Sequence, residues 1–150
     1  MSKSDAFESD ILKLIFNATG IANLADNTAT GPLANLYLSL HTADPTDAGN
    51  QASNECTYTG YARVAVARSA AGFIVSGTNP TQAALAAIAS FPQRTDAGAT
   101  QTATYFGVGV AASGATKLLY SGAITTPAGG IAISQNVTPQ LGTGTIITED

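Results

Sequence analysis

The chain has 150 residues and a mass of 15.0 kDa, enough for one domain with a real core. Only 11% of its residues are charged, against about 25% in ordinary soluble domains, while Ala, Thr, Gly and Ser make up nearly half of the sequence. The net charge of −4 and the scattered Lys3, Lys13, Lys117, Arg63, Arg68 and Arg94 exclude a phosphate-tracking surface, so no direct nucleic-acid partner is expected.

Single residues exclude further classes. Cys56 is alone, which rules out an intrachain disulfide and a thiolate zinc site; a small packing residue is the simplest role for it, and an interchain disulfide is the alternative. Asp5, Glu8 and Asp10 stand where a signal peptide would need cations, and Ile11 to Phe16 is too short to span a bilayer. A protein made and assembled in a cytoplasm, without a lipid anchor, is the expectation.

Taken in chain order, residues 1–20 read as an amphipathic helix or arm. Phe7, Ile11, Leu14, Ile15 and Ala18 recur at helical spacing, with Leu12 and Phe16 widening the stripe. Asp5 and Glu8 suggest a variant capping box and Gly20 a C′ stop. The apolar face suits either the chain's own sheet or a neighbouring subunit. Residues 21–32 read as loop, in which Asp26 and Asn27 are too few oxygen ligands for calcium.

From residue 33 to the C-terminus the period changes to 2. Leu36, Leu38 and Leu40 alternate with Tyr37, Ser39 and His41 up to Asp44-Pro45, and a second alternation runs over Tyr61–Ser69. A short strand follows at Gly72–Gly77, with a turn at Asn79-Pro80. Thr81–Phe91 is ambiguous: its Ala-rich first half favours helix by propensity, whereas Ala86–Phe91 reads as strand. Strands are expected at Ala103–Val110, at Lys117–Tyr120 through a Ser113-Gly114-Ala115 turn, at Ile131–Ser134 and at Gly144–Thr148. About eight short strands at regular spacing predict a mainly β domain, an antiparallel β-sandwich or jelly roll with one N-terminal helix.

Catalytic constellations are missing. A Ser-His-Asp triad would have to pass through His41, the sole histidine, and no Gly-x-Ser-x-Gly elbow accompanies it; a strand-end histidine bonded to a turn is the better reading. Glu55, Asp44, Asp47 and Asp96 lie in loops without the large aromatic platforms of a sugar cleft. No catalytic, cofactor-binding or metal-ligating residue is expected. Arg63 and Arg68 stand five apart on one expected strand, so one can be buried against a carboxylate while the other meets solvent or a partner. Tyr58, Tyr61 and Arg63 read either as an ordinary sheet-surface cluster or as part of an assembly interface, to which Phe7, Ile11, Leu14 and Ile15 of the helix would add.

The segments Leu38-Ser-Leu-His-Thr-Ala-Asp-Pro45, Tyr58-Thr-Gly-Tyr-Ala-Arg-Val-Ala-Val-Ala-Arg68, Phe91-Pro92 and Tyr105-Phe-Gly-Val-Gly-Val-Ala-Ala-Ser-Gly114, in this order, resemble small virion proteins of tailed bacteriophages. The similarity runs from about Gly20 to the C-terminus and is strongest to capsid cement, or decoration, proteins, relatives of which are also labelled as tail-fibre proteins. It implies a jelly-roll homodimer on the capsid exterior that binds the major capsid protein between capsomers and stabilises the head. The alternative it implies is a tail-fibre or adhesin domain that grips a host receptor.

Overall fold

The structure is a computed structural model, and it describes residues 4–21, 33–78 and 80–149. The chain is mainly β, with one N-terminal helix and antiparallel sheets, as the sandwich expectation has it. Its elements are α1 (Asp5–Phe16), β1 (Asn35–His41), β2 (Val64–Ala67), β3 (Phe73–Ser76), β4 (Thr81–Leu85), β5 (Ala89–Ser90), β6 (Gln101–Ala103), β7 (Tyr105–Gly109), β8 (Leu118–Ala123), β9 (Ile131–Ile133), β10 (Gln140–Leu141) and β11 (Ile146–Glu149). They fall into two compact units, and the chain passes between them within β1, β2 and β10 and after Ile88. The expected loop at 22–32, and Asn79 of the expected turn, lie outside the described residues.

The first unit comprises Met1–Asn35, Val66–Ile88 and Leu141–Asp150. Its centre is the antiparallel sheet β11–β4–β3, with α1 packed on one face. Strand β4 alternates: Thr81, Ala83 and Leu85 point inward, and Gln82 and Ala84 point out. That period of 2 overrides the helix propensity of its alanines, because a central strand between two partners is chosen by packing and pairing. Of the strand expected over Ala86–Phe91, only Ala89–Ser90 forms, and Ile88 before it is exposed.

Helix α1 differs from its sequence reading at both ends and around its axis. Ser4, rather than Asp5, is the N-cap, its Oγ accepting from the Phe7 N–H at 3.4 Å. The helix stops at Phe16, and Ala18, not Gly20, takes the left-handed position with φ 54°. The fully buried side chains are Leu12 and Phe16, in line with the buried Glu8 one turn earlier, and the Phe16 ring meets Phe73 at 4.8 Å. Phe7 is instead 38% exposed, and Ile11, Leu14 and Ile15 are half-buried. The face toward the sheet is thus rotated from the expected one, because the two residues that merely widened the stripe reach deepest.

The second unit comprises Leu36–Ala65 and Ala89–Gln140. Its main sheet has the order β2–β1–β7–β8, with β1 and β7 antiparallel from Tyr37↔Gly109 to His41↔Tyr105. Leu36, Leu38 and Leu40 on one face of β1 join Phe106 and Val108 of β7 in the core, with Phe91, Ala103 and Ile133. The expected strand over Tyr61–Ser69 shortens to Val64–Ala67, so Arg63 and Arg68 flank β2 rather than lying within it.

Inside the first unit, Thr81 Oγ1 is buried with no hydrogen-bond partner among the described residues. An unsatisfied buried hydroxyl costs about 1–3 kcal/mol. Thr81→Val, nearly the same shape without the hydroxyl, is expected to raise stability by about 1 kcal/mol, measured by urea denaturation.

Candidate functional site

His41 lies on the second face of β1. There Tyr37, Ser39 and His41 stand opposite Gly109, Gly107 and Tyr105 of β7. Two glycines in one ladder leave a trough, and the segment after β1 folds back into it. Gln51 fills the space over Gly109, where a Cβ would lie 1.9 Å from Gln51 Cδ. Its Nε2 donates to Tyr37 O at 3.3 Å, and its Oε1 accepts from Ala111 N–H at 3.2 Å and Thr116 Oγ1 at 2.7 Å. At Gly107 a Cβ would lie 2.7 Å from both His41 Nε2 and Ser39 Oγ. The trough is therefore closed by fit, and both glycines are required for close approach.

His41 pairs through Nε2 with Ser39 Oγ at 2.8 Å and through Nδ1 with the Ser53 carbonyl at 2.8 Å. The carbonyl obliges Nδ1 to carry the proton, so Nε2 accepts from the serine hydroxyl. This is the expected strand-end histidine bonded to a turn. Both side chains are fully buried beneath Gly107, so the pair offers no approach for a substrate carbonyl. Burial holds His41 below its ordinary pKa, with the Ser53 carbonyl and Glu55 opposing and Arg63 reinforcing the shift.

Beside it lies a buried ion pair. Arg63 Nε donates to Glu55 Oε1 at 2.7 Å and Nη2 to Oε2 at 2.8 Å. Nη1 reaches Ala111 O at 3.0 Å and Thr116 Oγ1 at 3.3 Å, and Nη2 reaches Gly114 O at 2.8 Å. All five guanidinium donors are thereby used inside the chain. Tyr61 Oη donates to Glu55 Oε1 at 2.8 Å and accepts from Leu40 N–H at 3.0 Å. Its ring stacks on Phe91 and meets Tyr58 edge-on. The Glu55 carboxylate raises the Arg63 pKa, and burial pushes Tyr61 far up and Tyr58 up to about 12. Cys56, buried next to Glu55, is pushed up to about 12, chiefly by burial, and is a packing residue rather than a reactive thiol.

The expected surface patch is thus an internal knot. Tyr58 and Arg63 are only 4% and 8% exposed, and Tyr61 is half-buried. Arg68, the other member of the expected pair, holds the end of α1 in the first unit: Nε donates to Ile15 O at 2.6 Å, and Nη2 bonds Leu14 O. Those carbonyls belong to the last helical turn, where cations are favoured. Arg94 makes a third staple, bidentate on Asp96 at 2.9 Å for both bonds and donating through Nη1 to Ala99 O and Ile133 O. The guanidinium keeps the Asp96 carboxyl well below the usual carboxylate range. Glu55 and Gln51 were missed as site residues in the sequence, where each is one polar residue in a polar loop. Among the described residues no three His, Cys, Asp or Glu side chains gather to hold a metal, and no helix is long and apolar enough to cross a membrane.

Residues 3–138 match the family described as podophage GP4 fiber I protein gp80, and the chain belongs to that family. It is a structural protein of a phage virion. The match fits the tail-fibre label of the sequence resemblance and not the capsid cement family in particular. No curated protein matches the chain.

Two predictions come from this geometry. Glu55→Gln leaves the buried guanidinium without its counter-charge and is expected to destabilise the protein by about 3 kcal/mol. Glu55→Leu combined with Arg63→Met should cost less than the sum of the two single changes, measured by chemical denaturation. As for pH, the folded His41 binds its proton less readily than the unfolded chain does. Its contribution to stability is full above the unfolded value of about 6.5 and is lost as pH falls from there through the folded value. Thermal melts between pH 8 and 5 should show this decline, and His41→Gln should flatten it.

Proposed function

We propose that the chain is a non-enzymatic building subunit of a podophage fibre, binding further copies of itself and neighbouring virion proteins. The observation that carries this reading is the inward use of its polar chemistry. Arg63, Glu55, Gln51 and His41 spend their donors and acceptors on one another and on backbone carbonyls. What faces outward is largely Thr, Ser, Ala and isolated aliphatics, a surface suited to repetitive protein contacts rather than to turnover. The family description supports a fibre. Receptor gripping by an aromatic platform loses support, because Tyr58 and Tyr61 pack against each other and against Phe91. No nucleic acid or membrane contact belongs to this role.

The second reading is head decoration, in which a homodimer binds the major capsid protein on the capsid exterior. The order of the Leu38–Pro45, Tyr58–Arg68 and Tyr105–Gly114 segments favours it. Immunogold labelling of intact virions separates the two. Label on projecting fibres or the tail is the expected result. Label spread over the head shell would replace the fibre reading by decoration, and particles that carry no label would refute both.

A further inference from the structure

Five large hydrophobic side chains are exposed among the described residues, namely Phe7, Leu33, Ile74, Ile88 and Ile146, and all belong to the first unit. Two of them share one cross-strand row. In the register of β11–β4–β3, Ile146 stands opposite Ala84, and Ala84 opposite Ile74. The next outward row is Thr148–Gln82–Ser76. Phe73, Ala83, Leu85 and Ile147 point the other way and are buried on the side where α1 packs. The outward face therefore carries Ile74 at 50% and Ile146 at 45% exposure.

We propose that this outward face, centred on Ile146–Ala84–Ile74, docks a second copy of the same chain, sheet against sheet. The proposal deepens the building-subunit reading and rests on it.

Charge selects the occupant. The protein carries −4, so two copies repel unless they meet where charge is absent. The three strands contain a single ionisable residue, Glu149 at the end of β11, and both outward rows are neutral. A strongly charged partner would find no counter-charge and would lose hydration on such a face. A neutral face is electrostatically complementary to its own copy.

Shape points the same way. Ala84 on the middle strand lies between two isoleucines, so the row is a furrow flanked by ridges about 10 Å apart, twice the strand spacing. Under a twofold axis each copy places an isoleucine ridge in the other's Ala84 furrow, with the sheets about 10 Å apart. A three-stranded face is smaller than the ~800 Å² per partner of a stable free-standing complex. Pairing is accordingly weak between free copies and is sustained where copies are already held close together.

The test is sedimentation equilibrium of the purified full chain over a wide concentration range. A monomer–dimer equilibrium is expected, and Ile74→Lys should weaken it at least about tenfold by placing like charges face to face. Ile74→Ser, milder toward the fold, should weaken it in the same direction, with circular dichroism confirming that both variants fold. Ala84→Cys should be cross-linked between chains by a bismaleimide of about 10 Å reach, because facing sheets about 10 Å apart hold the two positions beyond disulfide range, and the only native thiol, Cys56, is buried. A wild-type chain that stays monomeric at every concentration overturns the proposal. So does a dimer indifferent to both Ile74 variants, or an Ala84→Cys dimer without a cross-link. Any of these leaves the labelling of virions untouched, so failure of the docking face and failure of the virion role are told apart.

Discussion

Arg63 closes the second unit. A guanidinium has five donors in a rigid fork, and here two of them take both oxygens of Glu55 while the other three hold Ala111, Gly114 and Thr116. Those five bonds tie the loop after β1 to the loop between β7 and β8. Carbonyls of irregular segments need partners as much as those of strands do, and a buried loop without them is unstable. Everything else on that side of β1 follows from the closure. Gln51 can enter the trough only because Gly109 lacks a side chain, and His41 can lie flat only because Gly107 does.

The same device recurs in a chain with few charges to spend. Arg94 ties Asp96 to the carbonyls of Ala99 and Ile133, and Arg68 ties the last turn of α1 within its own unit. A surface rich in lysine would gain little from such pairs, because exposed ion pairs contribute about 0–1 kcal/mol. Buried and multiply bonded, an arginine fixes which carbonyl lies where. That is a specification of geometry more than a source of stability, since the desolvation of the charges offsets much of their attraction.

This use of charge bears on function. Arg63, Glu55, His41 and Arg94 are held by short internal bonds, while the exposed residues are mostly Thr, Ser and Ala with a few charges such as Asp44, Asp47 and Lys117 among them. A virion subunit must present the same surface many times over and keep it unchanged, so groups that shift charge or conformation are better kept inside. The outward face of β11–β4–β3 is the complement of this arrangement: a neutral, ridged surface on an otherwise acidic protein.

Periodicity by itself determined the mainly β class, the N-terminal helix, the β1 alternation and the β7–β8 hairpin, because half-buried strands and amphipathic helices write their facing directly into residue spacing. It also determined that His41 ends a strand against a turn. Which helix face is buried was decided by the sheet, where Leu12 and Phe16 fit and Phe7 does not. The strand at Thr81–Leu85 was decided by its two neighbours against its own propensity. Residue spacing allowed one of Arg63 and Arg68 to be buried against a carboxylate, as Arg63 is against Glu55, but not which one. Nor could it place Tyr58 and Tyr61 inside, because tyrosines beside an arginine read the same whether they face a partner or the core. Burial is a property of what folds over a residue, and only the tertiary structure brings Gln51, Glu55 and Thr116 there.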